Sequence, residues 1–268
     1  MKRLLIVSIA FITLCLFFAG TKRPLHIFMA GDSTMALKPL YKNVWDSIAG
    51  DSIKEAFPER GWGQLLPDFF NENVVIEDYA QNGRSSRTFI EQGWWQKIID
   101  NVQKGDYVVI QFGHNDSAED RPDRYTPPKQ YVENLSRFVD EVKAKGGKPI
   151  ICTSVVRRRF DAKGTFLDSH GEYVELARQV AKHKNVEMID MYEKSKDLLI
   201  NMGKDQSASL FLHIEAGENK IFPDGKIDNT HFKENGARIM ASLFVEGLKE
   251  NRIKSLTKEL RSQPIVLH

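Results

Sequence analysis

Five short runs rich in β-branched and aromatic residues alternate along this chain with longer stretches of helical periodicity. The runs are 25–30 (LHIFMA), 74–80 (VVIEDYA), 107–112 (YVVIQF), 149–156 (PIICTSVV) and 186–190 (VEMID). Several of them are apolar nearly throughout, the pattern of strands buried on both faces, and strands separated by helices are joined by crossovers that leave neighbours parallel. The rhythm therefore predicts an α/β chain with a central parallel five-stranded sheet covered by helices on both faces. Helices are expected near 64–71, 94–102, 128–145, 171–183 and 234–250, with long loops at 37–60, 117–127, 157–170 and 207–227. At 268 residues and 41% hydrophobic content, with no internal repeat, low-complexity tract or linker, one large core is expected.

The first twenty residues are set apart from that core. Lys2 and Arg3 precede an uncharged apolar run ending at Ala19 and Gly20, the pattern of a secretory signal peptide over 1–20, which leaves 21–268 as a single domain. The run falls short of the roughly 20 apolar residues that span a bilayer, and bulky Leu14 before Cys15 does not suit a lipoprotein signal. A secreted or periplasmic protein is expected, free of the membrane once the leader is removed. Its removal takes two cations and no acid, so the formal charge falls from +2 to 0. With no basic stripe, nucleic acid is not an expected partner. Arg157-Arg158-Arg159 is the one basic cluster and reads as a solvated loop face. Only Cys152 remains beyond the leader, in an apolar run, which suggests a buried strand thiol with no internal disulfide partner.

In open parallel sheets ligands bind beyond the carboxyl ends of the strands. Three polar islands sit there: Gly31-Asp32-Ser33-Thr34 after the first run, Asn82-Gly83 after the second and Gly113-His114-Asn115-Asp116 after the third. A fourth, Asp228-Asn229-Thr230-His231, precedes the last helical stretch, where a turn can deliver it to the same rim. Each alone reads as a turn or a helix cap, but their order and placement together supply the parts of a serine hydrolase. Ser33 is the candidate nucleophile, His231 its base, and Asp228 the group that fixes the imidazole tautomer. The backbone N–H groups of Ser33 and Gly83 and the side-chain amide of Asn115 are the candidate oxyanion donors. A competing metal set, His114, Asp116, Asp228 and His231, lacks both the paired-His helix motif and a cysteine set. The glycines of Gly61-Trp62-Gly63 fit neither a phosphate loop nor a dinucleotide loop. No metal and no nucleotide cofactor is expected.

The four islands resemble the sequence blocks of the SGNH, or GDSL-type, hydrolases, over about residues 25–248. The resemblance implies a flavodoxin-like three-layer α/β/α fold, with Ser33, Gly83, Asn115 and His231 as the family's four signature residues. The strings GDSTM at 31–35, GWGQ at 61–64, NGRSSRTF at 82–89, FGHND at 112–116 and DNTHF at 228–232 look closest to the rhamnogalacturonan acetylesterase branch. That branch implies an exported, metal-independent esterase that removes acetyl groups from pectin through an acetyl-enzyme on Ser33, its partner an acetylated polysaccharide. A monomer is expected. Trp62, Trp94, Trp95, Tyr41 and Trp45 are candidates for stacking on pyranose faces, with packing the alternative for Trp94 or Trp95 beside Ile98 and Ile99. Arg84 and Arg87 are candidates for galacturonate carboxylates, with Arg87 alternatively pinning the Gly83 turn, and His114 is a further candidate substrate contact. Acetylated xylan would use the same triad. So would a lipid or aryl ester, which predicts an apolar groove that the charged 37–60 segment does not favour. A binding module that has lost catalysis is disfavoured by the intact Ser33, Asp228 and His231.

Overall fold

The computed structural model describes residues 23–46 and 49–263, so the predicted leader lies outside the described residues. Strand β1 (Leu25–Gly31) is followed by a hairpin of β2 (Tyr41–Asp46) and β3 (Asp51–Ala56), then by α1 (Trp62–Leu65), a 3-10 turn (Leu66–Phe69) and β4 (Val74–Asp78). Helices α2 (Ser86–Glu91) and α3 (Trp94–Asn101) lead to β5 (Tyr107–Gln111), α4 (Pro128–Ala144), β6 (Lys148–Cys152), α5 (Tyr173–Lys184) and β7 (Glu187–Ile189). After α6 (Met191–Gln206) and a 3-10 turn (Ser207–Leu210) come β8 (Phe211–Ile214), β9 (Lys226–Phe232), α7 (Glu234–Glu250) and α8 (Lys254–Thr257).

The five predicted strands form one parallel sheet in the order β4-β1-β5-β6-β7. The chain leaves β1 for β4 on one side and then crosses to β5 on the other, so the order reverses at β1 and β5. That reversal opens the crevice in which doubly wound sheets bind their ligands, and it is where Ser33 and Asn115 follow their strands. Alternation of side chains along each strand divides the core. Ile27, Met29, Tyr107 and Val109 join Trp62, Phe232, Met240 and Phe244 in one layer, and Phe28, Ala30, Val108 and Ile110 join Trp95, Phe112 and Phe138 in the other. Cys152 is a buried strand thiol, as expected, and burial pushes it above the usual thiol range.

Two segments read as loops carry structure. Tyr41–Asp46 and Asp51–Ala56, within the expected loop 37–60, pair antiparallel as β2 and β3, and β8 pairs antiparallel with β9 inside what read as the loop 207–227 and the island after it. Helix α6 has no strong apolar stripe and bends at Gly203, whose φ is 74°. The helix expected over 64–71 is shorter, four residues of α1 followed by the 3-10 turn, because Pro67 lacks the N–H that a continuing α-helix needs.

Candidate active site

Ser33 sits in the turn that follows β1, with the buried carboxyl of Asp32 tying that turn together. Asp32 Oδ1 accepts the Thr34 N–H at 2.9 Å and the Thr34 hydroxyl at 2.8 Å, and the Asp32 carbonyl accepts from Met35 and Ala36. Burial pushes the Asp32 carboxyl up, against the two Thr34 bonds and the charges of Arg157 and His231. Beneath the turn the chain of bonds continues inward: Gln111 donates to Thr34 Oγ1 at 3.0 Å and accepts from Trp62 Nε1 at 3.2 Å. Trp62 is thus wholly buried and its polar edge is spent inside, so it cannot stack on a sugar. Glycine at 61 is what lets this segment approach, since a Cβ there would lie 2.2 Å from the Ala36 carbonyl oxygen.

His231 comes from β9. The register places Phe232 opposite Phe211 but Asp228 opposite Leu212, so residues 229–231 bulge out of the ladder and the island lies on a bulged strand instead of the expected free turn. The bulge carries His231 Nε2 to 2.8 Å from Ser33 Oγ and His231 Nδ1 to 2.8 Å from Asp228 Oδ2. The other carboxylate oxygen of Asp228 accepts the backbone N–H of Thr230 at 2.8 Å and of His231 at 3.0 Å. Burial alone would raise the Asp228 carboxyl, but the bond and charge of His231 and the two backbone donors hold it well below the usual carboxylate range. An acceptor-only Asp228 makes His231 Nδ1 the donor, which leaves Nε2 to accept the Ser33 hydroxyl proton.

The basic triplet supports this bulge. Arg158 donates from its backbone to the Asn229 carbonyl at 2.8 Å and from its side chain to Asn229 Oδ1 at 2.9 Å, while Arg157 donates to Thr230 Oγ1 at 2.5 Å and to the His114 carbonyl at 3.1 Å. Only Arg159 is exposed, so the reading of the cluster as a solvated face is corrected for its first two members.

Gly83 adopts φ 72°, a conformation that favours glycine, and lines the same cleft as Ser33. Neither the Ser33 nor the Gly83 N–H has a hydrogen-bond acceptor among the described residues. Asn115 spends one amide hydrogen on the Arg84 carbonyl at 2.9 Å, which leaves the second for a ligand. Buried Asp116 fixes this arrangement from behind. It accepts the Ser86 N–H at 2.9 Å and the Ser86 hydroxyl at 2.6 Å, so the start of α2, just past Gly83 and Arg84, is anchored to the residue after Asn115. Burial pushes the Asp116 carboxyl up to about 6 in spite of the Ser86 donors.

Ser33, Gly83, Asn115 and His231 open into one cleft of about 470 Å³, rimmed by Lys38, Arg121, Arg124, Arg157 and Lys226 against the carboxylates Glu59 and Asp120. None of these five cations was singled out from the sequence as a site residue, although Lys38 lies close after Ser33 and Lys226 just before Asp228. The residues that were singled out for substrate are placed otherwise. Arg84 donates to Gln92 at 2.7 Å and to the Asn82 carbonyl at 2.6 Å and faces a smaller neighbouring hollow. Arg87 donates to the carbonyls of Tyr125 and Pro122, both at 3.1 Å, so it pins the 117–127 loop and not the Gly83 turn. His114 lines the cleft but is only 2% exposed. Its Nδ1 lies 3.1 Å from His170 Nε2, and burial beside His170 and Arg157 holds it neutral, well below the usual imidazole range. Trp95 is buried and bonded to Glu141, Trp94 lies half-buried under Lys97, and Tyr41 and Trp45 are exposed. The four residues of the competing metal set do not converge: His114 faces His170 and Asp116 faces Ser86. No group of three or more metal-ligating side chains is found among the described residues.

Lys38 is 6% exposed, pairs with Glu59 at 2.6 Å and donates to Asn82 Oδ1. Close by, at the end of β4, burial raises the carboxyl of Asp78 from 3.8 to about 8, against its bond from the Ala80 N–H and the charge of Lys38. A group raised in this way stabilises the native state most below its unfolded value and loses that contribution as pH rises through the folded value, by up to about 1.4 kcal/mol per pH unit. Asp78→Asn keeps the Ala80 bond and removes the titration. Urea unfolding is therefore expected to show the variant gaining about 2 kcal/mol on the wild type between pH 5 and pH 7, and parallel curves would exclude a buried, protonated Asp78.

With this geometry in place, residues 48–239 match the model of the GDSL-like lipase/acylhydrolase family, a segment that includes Gly83, Asn115, Asp228 and His231. The chain belongs to that family. It is accordingly a carboxylic ester hydrolase. This GDSL-type hydrolase is 37% identical to rhamnogalacturonan acetylesterase RhgT of Bacillus subtilis over 85% of the chain and 91% of the relative. It is 34% identical to the probable rhamnogalacturonan acetylesterase YesY of the same organism, over 84% of the chain and 93% of the relative. A crystal structure of a Bacillus subtilis protein superposes with a TM-score of 0.69 at 24% identity, over 86% of this chain and 57% of that longer one. The likeness supports the fold.

Proposed function

We propose that this hydrolase removes acetyl groups from an acidic plant cell-wall polysaccharide, with acetylated rhamnogalacturonan the best match, through an acetyl-enzyme on Ser33. The observation that carries the reading is the Ser33–His231–Asp228 relay at the floor of a polar cleft whose rim holds five cations against two carboxylates. A cationic rim suits a galacturonate-bearing polymer. Ala118 is the one residue lining the cleft whose side chain is wholly hydrocarbon, which argues against a groove built for a long acyl chain. The two acetylesterase relatives support the same substrate class.

In the first half-reaction Ser33 Oγ attacks the acetyl carbonyl carbon while its proton passes to His231 Nε2. Asp228, ionised and bonded to Nδ1, stabilises the imidazolium. The carbonyl oxygen, now negative, is met by the N–H groups of Ser33 and Gly83 and the free amide hydrogen of Asn115, donors that each contribute about 10²–10³ in turnover at comparable sites. Collapse breaks the bond to the sugar oxygen, which leaves with the proton from His231. Water then attacks the acyl carbon while giving a proton to the same nitrogen, and collapse breaks the bond to Ser33 Oγ, which takes that proton back from His231 as acetate leaves. An export leader at 1–20, a single catalytic domain over 21–268 and a monomeric state complete the proposal.

Acetate release should be measured from acetylated rhamnogalacturonan, acetylated xylan and a long-chain p-nitrophenyl ester. Release chiefly from the pectic polymer is expected, and release only from xylan or the long-chain ester would overturn the substrate assignment. Because every proton transfer is assigned to side chains, excess EDTA is expected to leave turnover unchanged. Loss of activity that zinc or manganese restores would contradict the mechanism.

A further inference from the structure

The two faces of the β2–β3 hairpin differ in charge. The pairs Tyr41–Ala56, Asn43–Lys54 and Trp45–Ser52 share one face, and the pairs Lys42–Glu55, Val44–Ile53 and Asp46–Asp51 share the other. Every residue of the first face is exposed, with Trp45 at 71% and Tyr41 at 55%. All three carboxylates of the hairpin, Asp46, Asp51 and Glu55, lie on the second face, where Val44, Ile53 and Glu55 are half-buried, Asp46 is buried and Lys220 pairs with Asp46. The outer face thus holds two large aromatic rings and one cation, Lys54, whose Nζ lies 5.5 Å from the centre of the Tyr41 ring.

We infer that this outer face is a second glycan-binding platform, outside the cleft, that holds an acidic polysaccharide chain. The inference rests on the proposed function for the class of polymer. An isolated exposed aromatic needs no explanation, but Tyr41 and Trp45 stand on one face of one strand, roughly 13 Å apart along it. That spacing suits successive contacts along a polymer. Flat rings pack against the apolar C–H faces of sugars while their edges stay hydrated. Lys54 supplies a partner for a uronate carboxylate, and no acid on that face repels it.

The platform is continuous with the reaction cleft through the chain itself. Lys38 precedes β2, Glu59 follows β3, and the two form an ion pair of 2.6 Å that lines the cleft. The far side of the hairpin root is fixed to the segment leading into β9, through Phe57 against Phe222 at 6.2 Å and Asn219 Nδ2 donating to the Ala56 carbonyl at 2.9 Å. A polymer held on the hairpin therefore keeps its acetylated residues at high effective concentration near Ser33, raising occupancy without adding contacts at the reacting ester.

Affinity electrophoresis through gels containing deacetylated rhamnogalacturonan reads this binding independently of hydrolysis. The full-length mature protein is expected to be retarded, and Tyr41→Ala/Trp45→Ala to bind about tenfold more weakly with an unchanged urea midpoint, since both side chains are exposed. Lys54→Gln is expected to lose less, and its deficit to disappear in high salt. Equal retardation of the wild type and the double variant, or no retardation of the wild type, would overturn the platform. Sedimentation of the wild type as a dimer that the double variant dissolves would also overturn it and assign the face to a second copy. Acetate release from the polymer with no dependence on the hairpin leaves the proposed function standing, whereas hairpin-dependent retardation without acetate release reverses that reading alone.

Discussion

Ser33→Ala is expected to lower turnover by about 10⁴-fold or more, with His231→Ala close behind. The size follows from the relay: Ser33 Oγ and His231 Nε2 are 2.8 Å apart, and removing either leaves no group that can both form the acyl bond and move its proton. What remains would come from the oxyanion donors and substrate positioning. The two losses should not add, because the residues act as one unit. Steady-state rates on p-nitrophenyl acetate for both variants and their double check this, and near-normal turnover in Ser33→Ala would remove the covalent mechanism.

The second large effect belongs to Asp228. In Asp228→Asn the amide oxygen can still accept the Thr230 and His231 N–H groups now held by Oδ1, at 2.8 and 3.0 Å, so the bulge should keep its shape. The amide nitrogen then faces His231 Nδ1, now 2.8 Å from a carboxylate oxygen. A donor there forces Nδ1 to accept and places the ring hydrogen on Nε2, where it points at Ser33 and cannot receive its proton. Turnover is expected to fall by about 10³–10⁴-fold with KM little changed. A loss below tenfold would show that Asp228 orients the ring without setting its tautomer.

The central strands β1, β5 and β6 were legible because both of their faces are largely buried, so runs such as YVVIQF at 107–112 are apolar almost throughout. The last helix was legible for the complementary reason. Its apolar positions, Ala237, Met240, Ala241, Phe244, Val245 and Leu248, recur at helical spacing over Glu234–Glu250. The β2–β3 hairpin was not, because YKNVWD and DSIKEA place charged residues among their few apolar ones and one whole face is solvated. The strand carrying His231 was hidden by its bulge, which breaks the period of two just where Asp228 and His231 lie.

At the site, Ser33, Gly83, Asn115 and His231 were visible because short strings at strand ends must meet at one rim. The cationic rim was not, since Lys38, Arg121, Arg124, Arg157 and Lys226 come from separate segments that only the folded loops bring together. Trp62 shows the opposite error. It was a candidate for stacking on a pyranose face, but an aromatic side chain suits a core equally well: its N–H is bonded to Gln111 inside the molecule and its ring packs on Phe244 at 5.2 Å.

The most direct measurement is to mix the enzyme with p-nitrophenyl acetate, quench within one turnover and locate the added acetyl group by peptide mass spectrometry. A burst of p-nitrophenol matching the enzyme concentration, with one acetyl on the peptide carrying Ser33 and none in Ser33→Ala, is the predicted result. Steady acetate release with no burst, no acyl group on that peptide and undiminished turnover in Ser33→Ala would contradict the account.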